Sequence, residues 1–243
     1  DWTGDVVTNA NPLTVAMTQP YTNIQANFAI NSYDITATSG PGGGIAPAGT
    51  VWVEHGGETN FSIVPDAHYH VTNVVVDGVS VGVTSGWTFV NVTNGGHTIA
   101  ANFGVDQYAL TVTSAYGAPT PAGTTTNDWN ALIEASVGGS PTNSGGTQYV
   151  CVGWTGTGSA TNGAGTNTSF NITNASSLTW QWVTNYWLAA TSTSANGGVD
   201  VAPGFFPLGS NVTITATPSN GWHFVDWTGD VVTNANPLTV AMT

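Results

Sequence analysis

The sequence predicts an all-β protein built from small sandwich-like modules in tandem. Three observations carry this. Apolar residues alternate with period two in short runs, Gly and Pro punctuate those runs, and the runs recur at long fixed offsets. In Asn211 to Thr217, Val212, Ile214 and Ala216 alternate with Thr213, Thr215 and Thr217. Tyr108, Leu110 and Val112 alternate with Ala109, Thr111 and Thr113, and Phe61 and Ile63 flank Ser62. Ile24, Ala26 and Phe28 line one face of a further strand. Val, Thr, Ile and aromatic residues dominate these runs and suit a half-buried pleated surface.

The turns follow the same logic. Asp77-Gly78 separates Val74-Val75-Val76 from Val79-Ser80-Val81 and predicts a type I′ hairpin, because both central residues need positive φ. Asn94-Gly95, Asn196-Gly197 and Asn220-Gly221 give turn signals of the same kind. With 31 Gly and 12 Pro in 243 residues, little room is left for helices. Trp129 to Val137 has some helical character, but it aligns with His55 to Ile63 and is expected as strand.

Repeats set the organisation. Asp1 to Thr18, DWTGDVVTNANPLTVAMT, recurs without a change as Asp226 to Thr243, an offset of 225 residues. The sequence therefore reads as a window slightly longer than one period of a repeating polypeptide, or as a discrete subunit with one segment at both ends. An older repeat lies inside the period. At an offset of 153, Ala37, Thr38, Ser39, Gly44, Gly56, Pro65 and His70 match Ala190, Thr191, Ser192, Gly197, Gly209, Pro218 and His223. Tyr108 opens a third copy, and Ile24 to Phe28 (IQANF) recurs as Ile99 to Phe103 (IAANF). The expected modules are 33–107, 108–185 and 186–243, the last lacking its final strand, with 1–32 the end of a preceding copy. A module of about 75 residues buries little core by itself and gains stability by stacking on its neighbours.

Charge excludes several functions. There is no Lys or Arg against 13 Asp and Glu, a formal net charge of −13. Nucleic-acid binding, attraction to anionic lipid and Lys- or Arg-clamped phosphoryl transfer all need cations. No apolar run approaches a membrane span. No signal-peptide pattern precedes Asp1, so an export signal is expected elsewhere in the parent polypeptide. Cys151, the one cysteine, lies in an apolar strand-like run and is expected as a small buried hydrophobe.

Pro218-Ser219-Asn220-Gly221-Trp222-His223-Phe224-Val225-Asp226-Trp227-Thr228-Gly229-Asp230, followed by Asn236-Pro237-Leu238-Thr239-Val240, resembles the divergent internalin-B B-repeat modules of bacterial surface proteins. Val76-Asp77-Gly78-Val79-Ser80-Val81-Gly82 and Gly96 to Phe103 fit the same pattern, and Tyr149 to Gly158 fits a variant. The resemblance covers nearly the whole chain in three copies. It implies secreted or cell-surface tandem arrays, structural or adhesive, without catalytic residues. Some relatives are β-grasp-like and contain a helix, so β-grasp-like modules are the alternative to sandwiches.

Candidate sites follow. For self-contact between repeats the candidates are the duplicated Asp1, Trp2, Pro12, Leu13 and Val15, and Asp226, Trp227, Pro237, Leu238 and Val240. Trp180, Trp182, Tyr186 and Trp187 form an aromatic cluster that would stack on sugar rings if exposed, or pack in the core if not. Asn60, Asn91, Asn167, Asn171, Asn174 and Asn211 each open an N-x-S/T sequon. Gly78 to Gly82 matches a nucleophile-elbow pattern around Ser80, but after a hairpin rather than before a helix. His68 and His70 near Asp66 read as packing or hydrogen-bonding residues before metal ligands. Asp226 and Asp230 bracket a turn, as Asp1 and Asp5 do, the one weak place for Ca²⁺; no other cofactor is expected. The expected function is a structural segment of an extracellular filament or sheath, with itself as partner. A cell-surface adhesin or carbohydrate-binding stalk is the alternative, and an enzyme is not expected.

Overall fold

The computed structural model describes residues 1–243 and contains strands, turns and loops but no helix. It divides into two compact units, Asp1–Asp106 and Gln107–Thr243.

In the first unit, alternating runs build two stacked layers. One sheet has the order Gly49–Glu54, Ser32–Ser39, His97–Val105, Tyr69–Val76, Val79–Gly82. The other has the order Gly43–Ala46, Thr59–Pro65, Gly86–Phe89. The inward positions of each strand meet between them. Ile35, Ala37, Val74, Ile99 and Ala101 from the larger sheet pack against Ile45, Phe61, Ile63, Phe89 and Val92. The opening strand Ser32–Ser39 and the closing strand His97–Val105 lie side by side and parallel, so all of the intervening chain is one crossover. Asp77 (φ 49°) and Gly78 (φ 79°) form the expected hairpin turn between Tyr69–Val76 and Val79–Gly82.

The second unit repeats this plan. One sheet runs Gly123–Asp128, Gln107–Ser114, Ser176–Leu188, Thr147–Thr157, Thr142–Ser144, and Ala118–Thr120, Leu132–Gly138 and Asn167–Asn171 form the other. Leu110, Val112, Ile133, Val137, Ile172, Leu178 and Trp180 are its core. Leu132–Gly138 is strand, as the alignment with the first module requires. The first module is therefore a sandwich of five and three strands, and the larger sheet of the second unit reaches seven, because Gly163–Ala164 adds to Thr147–Thr157 and Gly204–Pro207 to Ser176–Leu188. The helix of the β-grasp alternative is absent, and a three-stranded sheet covers the parallel pair instead.

Two expectations need correction. The boundary at 185/186 falls inside one 13-residue strand, Ser176–Leu188, which closes the second module and opens the third without a turn. Its first half pairs with Gln107–Ser114 and its last residues with Gly204–Pro207. The three Asn-Gly pairs are not hairpins like Asp77-Gly78. None of their Asn residues has positive φ, and they sit in looser turns between strands that do not pair across them. No helix is long and apolar enough to cross a membrane.

Candidate self-assembly site

Residues 186–243 begin a third sandwich in the register of the first. Tyr33, Asp34 and Ile35 pair with Val53, Trp52 and Val51. At an offset of 153, Tyr186, Trp187 and Leu188 pair with Phe206, Phe205 and Gly204. The second layer forms too, with Asn211–Ile214 against Leu238–Ala241. A backbone clip then seals one end of each module around one apolar side chain. Gly56, Asn130 and Gly209 donate their N–H to the carbonyls of Val92, Ile172 and Met242, whose own N–H groups donate back to the carbonyls of Gly57, Ala131 and Ser210. Val92, Ile172 and Met242 are all buried.

Residues 186–243 themselves contribute no strand at the closing position. In the first module Ile99 pairs with Ala37 on one side and Val76 on the other, and in the second Leu178 pairs with Val112 and Gly156. In the third, nothing pairs with Ala190 or Gly229 at these places. Ile35 and Ala37 are buried, whereas their counterparts Leu188 and Ala190 are only half-buried. Ile214 and Met242 are the only buried apolar residues of 186–243. An open cleft of about 820 Å³ lies where the strand would be, between Leu188–Ser194 and Phe224–Asp230.

The other end of the chain holds the complementary piece. Ile24–Ala26 pairs antiparallel with Trp2–Gly4, Trp2 opposite Ala26 and Gly4 opposite Ile24. Shifted by 75 residues on the closing strand, Ala26 and Ile24 become Ala101 and Ile99, which face Val74 and Val76. Shifted by 225, Trp2 and Gly4 become Trp227 and Gly229. The two-stranded piece at the start thus keeps the register of the closing edge in a complete module. Ile24 is 39% exposed, Phe28 94% and Met17 81%.

The duplicated segments fold alike where sequence alone decides, and differently where packing decides. Trp2 Nε1 donates to the Ala10 carbonyl and Trp227 Nε1 to the Ala235 carbonyl, both at 3.0 Å. Trp154, in the same Trp-Thr-Gly motif of the second module, donates to the Thr161 carbonyl at 2.7 Å. The bonds Asn11–Pro12 and Asn236–Pro237 are both cis. Yet Leu238–Ala241 is a paired strand while Leu13 and Val15 lie in unpaired chain, although all four apolar side chains, Leu13, Val15, Leu238 and Val240, are half-buried. Among the self-contact candidates, Asp1, Pro12, Asp226 and Pro237 are exposed, and Trp2 and Trp227 half-buried.

A carboxylate marks the strand's entrance. Asp5 accepts the backbone N–H of Thr22 at 2.7 Å and of Asn23 at 2.8 Å. Asp77 accepts Thr98 N–H and bonds His97 Nδ1, both at 2.8 Å. Thr157 takes that place in the second module, with its hydroxyl 2.7 Å from Ser177 Oγ. Asp230 is the fourth equivalent and has no strand before it. The amides of Thr22 and Asn23, bonded to the charged form, hold the Asp5 pKa below the usual carboxylate value. Partial burial pushes Asp77 up, and the Thr98 amide and His97 outweigh it to leave its pKa lowered as well. A depressed carboxylate stabilises the fold above its unfolded pKa and stops doing so as pH falls through the folded value. The Thr22 and Asn23 amide resonances should therefore titrate together with Asp5, below the ordinary aspartate range, and stay flat in Asp5→Asn; a midpoint at or above that of an exposed, unbonded aspartate contradicts the clamp.

The remaining candidates separate. Trp180 is 2% exposed and packs edge-on against Trp154, which removes it from any sugar-stacking platform. Trp182 is half-buried, with Nε1 bonded to Ser114 Oγ at 2.9 Å. Tyr186 is half-buried, and Trp187 is 48% exposed beside Phe205. The four do not share a face, because strand alternation sends Trp180 and Trp182 to the side opposite Trp187. His70 bonds Asp106 at 3.0 Å, and no three His, Cys, Asp or Glu gather as a metal site. Ser80 Oγ donates to Asn73 Oδ1 at 2.6 Å on a hairpin. Cys151 is buried. Asn60, Asn91, Asn167, Asn171, Asn174 and Asn211 are all exposed, though Asn171 Nδ2 donates to the Asn130 carbonyl.

Comparison with curated proteins gave no match, and comparison with solved structures gave none. Among protein families, the divergent InlB B-repeat domain matches residues 188–243. The match begins on the opening strand of the third sandwich and spans both its layers. InlB B-repeats are bacterial surface repeats, which agrees with an acidic, lysine-free chain of β modules. Residues 188–243 are therefore a divergent InlB B-repeat domain, the family whose motifs the rest of the sequence resembles.

Proposed function

We propose that the chain is a structural segment of an extracellular filament or sheath, built from a tandem-repeat polypeptide with a 225-residue period. One observation carries this: Asp1–Thr18 recurs unchanged as Asp226–Thr243, so each 225-residue unit would meet the next by the same head-to-tail contact. A head-to-tail contact of this kind does not close on itself by symmetry and gives an open filament. The chain's partner is itself, and its role is mechanical rather than catalytic. It needs no cofactor, and without Lys or Arg it offers nucleic acid no counter-charge. Electron microscopy of the native material tests the proposal. Fibres or sheets with an axial repeat set by three modules support it, and dispersed single particles reject it. Denaturing electrophoresis then distinguishes separate subunits near 24.8 kDa from one very large polypeptide.

An adhesive stalk is the second reading, favoured by the exposed Trp187 beside Phe205. Binding on a glycan array that is lost in Trp187→Ala supports it, and a silent array removes it.

A further inference from the structure

We propose that Tyr116 and Tyr149 form a modification site, at which hydrogen peroxide and a peroxidase couple the two phenols into a dityrosine crosslink within the second module. The proposal goes beyond the assembly reading and stands whether or not the chain forms filaments.

The pair is held in place for this. The two rings stack with centroids 3.7 Å apart and planes 14° from parallel. The hydroxyls are hydrogen-bonded to each other, and Tyr116 as partner raises the Tyr149 pKa above the ordinary tyrosine value. Rings stacked with their hydroxyls together also bring together the carbons ortho to those hydroxyls, where phenoxyl radicals join. Tyr116 lies in the bend after Gln107–Ser114, and its surroundings fix it there. Ser114 Oγ donates to the Tyr116 carbonyl at 2.6 Å and accepts Trp182 Nε1–H at 2.9 Å. The Trp182 ring in turn meets Tyr116 edge-on at 5.7 Å. Gly117 follows with φ 70°, and a Cβ there would collide with the Gly138 carbonyl. Tyr116 is 37% exposed, within reach of an oxidant.

The first module carries only half of the site. Tyr69 takes the place of Tyr149, opposite Val105 as Tyr149 is opposite Thr184, and each precedes an equivalent β-bulge. At the offset of 75, Pro41 stands where the second module has Tyr116, and the Tyr69 ring lies against Gly42. Tyr69 is also 37% exposed, so it serves as an internal control of equal accessibility.

Phenol coupling is a covalent tie that this composition still allows. With no Lys and one Cys, the sequence can form neither a lysine isopeptide bond nor an internal disulfide. The new bond joins the bend leading into Ala118–Thr120, in the smaller layer, to Thr147–Thr157 in the larger. It does so at the end of the sandwich away from the Asn130–Ile172 clip, and it restricts the unfolded chain as any crosslink does. In the reaction each phenol gives up one electron and its hydroxyl proton. The two radicals join through one Cε carbon of each ring. The hydrogen on each joined carbon then moves to the oxygen, which restores both phenols. The pair loses two hydrogen atoms in all, and peroxide takes up two electrons and two protons to become two waters.

Limited oxidation of the full chain with peroxide and peroxidase tests the site. Groups held in one fold meet at an effective concentration of about 1 mM, so at about 10 μM protein internal coupling should outrun coupling between chains about a hundredfold. Glu134 lies between the two tyrosines, and cleavage after Glu separates residues 59–134 from 135–243 unless they are joined. Oxidised, denatured and cleaved chains should give the joined pair, with dityrosine fluorescence and a mass two hydrogens lower. Tyr116→Phe and Tyr149→Phe keep a ring in the stack but remove a coupling partner, and each should abolish the joined pair. Tyr69→Phe should leave it unchanged. A joined pair that survives in either of the first two variants overturns the proposal. So do separate fragments from the unaltered chain under conditions where the same peroxidase couples free tyrosine. Fibres or single particles in native material bear on the filament and leave either result standing.

Discussion

Trp180→Ala should be the most damaging single substitution in the second unit, costing about 3–5 kcal/mol, the range for removing a buried Trp side chain. Trp180 lies at the crossing of three strands. It pairs with Ser114 in the parallel ladder and with Trp154 in the antiparallel one. Its ring meets that of Trp154 edge-on at 5.4 Å. Alanine leaves a cavity in the middle of a ten-residue core, which has little else to collapse into it. Since a domain of this size has about 5–15 kcal/mol in total, the variant would be close to unfolded at ambient temperature. Trp180→Phe should cost far less. The indole N–H is buried and has no hydrogen-bond partner. Phenylalanine loses volume but removes an unsatisfied donor worth about 1–3 kcal/mol. Urea titration followed by far-ultraviolet circular dichroism measures both. A Trp180→Ala variant within 1 kcal/mol of the parent, or one no worse than Trp180→Phe, would contradict this account of the core.

The same residue shows where sequence reading stops. Period-two alternation gives which residues share a face, and it placed Phe61, Ile63, Leu110 and Val112 inward, where the structure has them. It does not say which face of an aromatic run is covered, because that depends on a layer contributed by distant chain. Trp180, Trp182 and Trp187 therefore looked like one cluster in sequence and divide between two faces in space. Offsets were more informative. The 153-residue shift carries the pairing of Tyr33, Asp34 and Ile35 onto Tyr186, Trp187 and Leu188 without slippage, because the paired strands are joined by the same length of chain in both places. The parallel central pair was not legible. Its two strands are separated by a whole crossover, and no local signal marks a non-local partner. Nor was the role of Asp5 and Asp77. An acidic residue after a Trp-Thr-Gly or Val-Val-Val run gave no sign of clamping the entrance of a strand some twenty residues on. The duplication itself was legible in the sequence, but that its two copies pack differently shows only in the fold.

That difference yields the second large effect, with its control built into the chain. Met17 and Met242 occupy the same place in identical 18-residue segments. Local propensity, neighbouring residues and unfolded-state behaviour are therefore closely matched between them. Met242 is 5% exposed and plugs the end of the third sandwich, its N–H bonded to the Ser210 carbonyl and its carbonyl to Gly209 N–H, at 2.9 and 2.8 Å. Met17 is 81% exposed. Met242→Ala should then cost about 2 kcal/mol, the low end for a buried Met because the third module's core is open on one side. Met17→Ala should stay within about 0.5 kcal/mol, as exposed substitutions do. Amide hydrogen exchange reads the result locally. The amides of Asn211–Ile214 and Leu238–Ala241 should lose about thirtyfold in protection in Met242→Ala, since 1.4 kcal/mol is a factor of ten, and stay unchanged in Met17→Ala. Equal effects at the two positions would mean that the third sandwich has no packed end at all, and the cleft beside it would lose its frame.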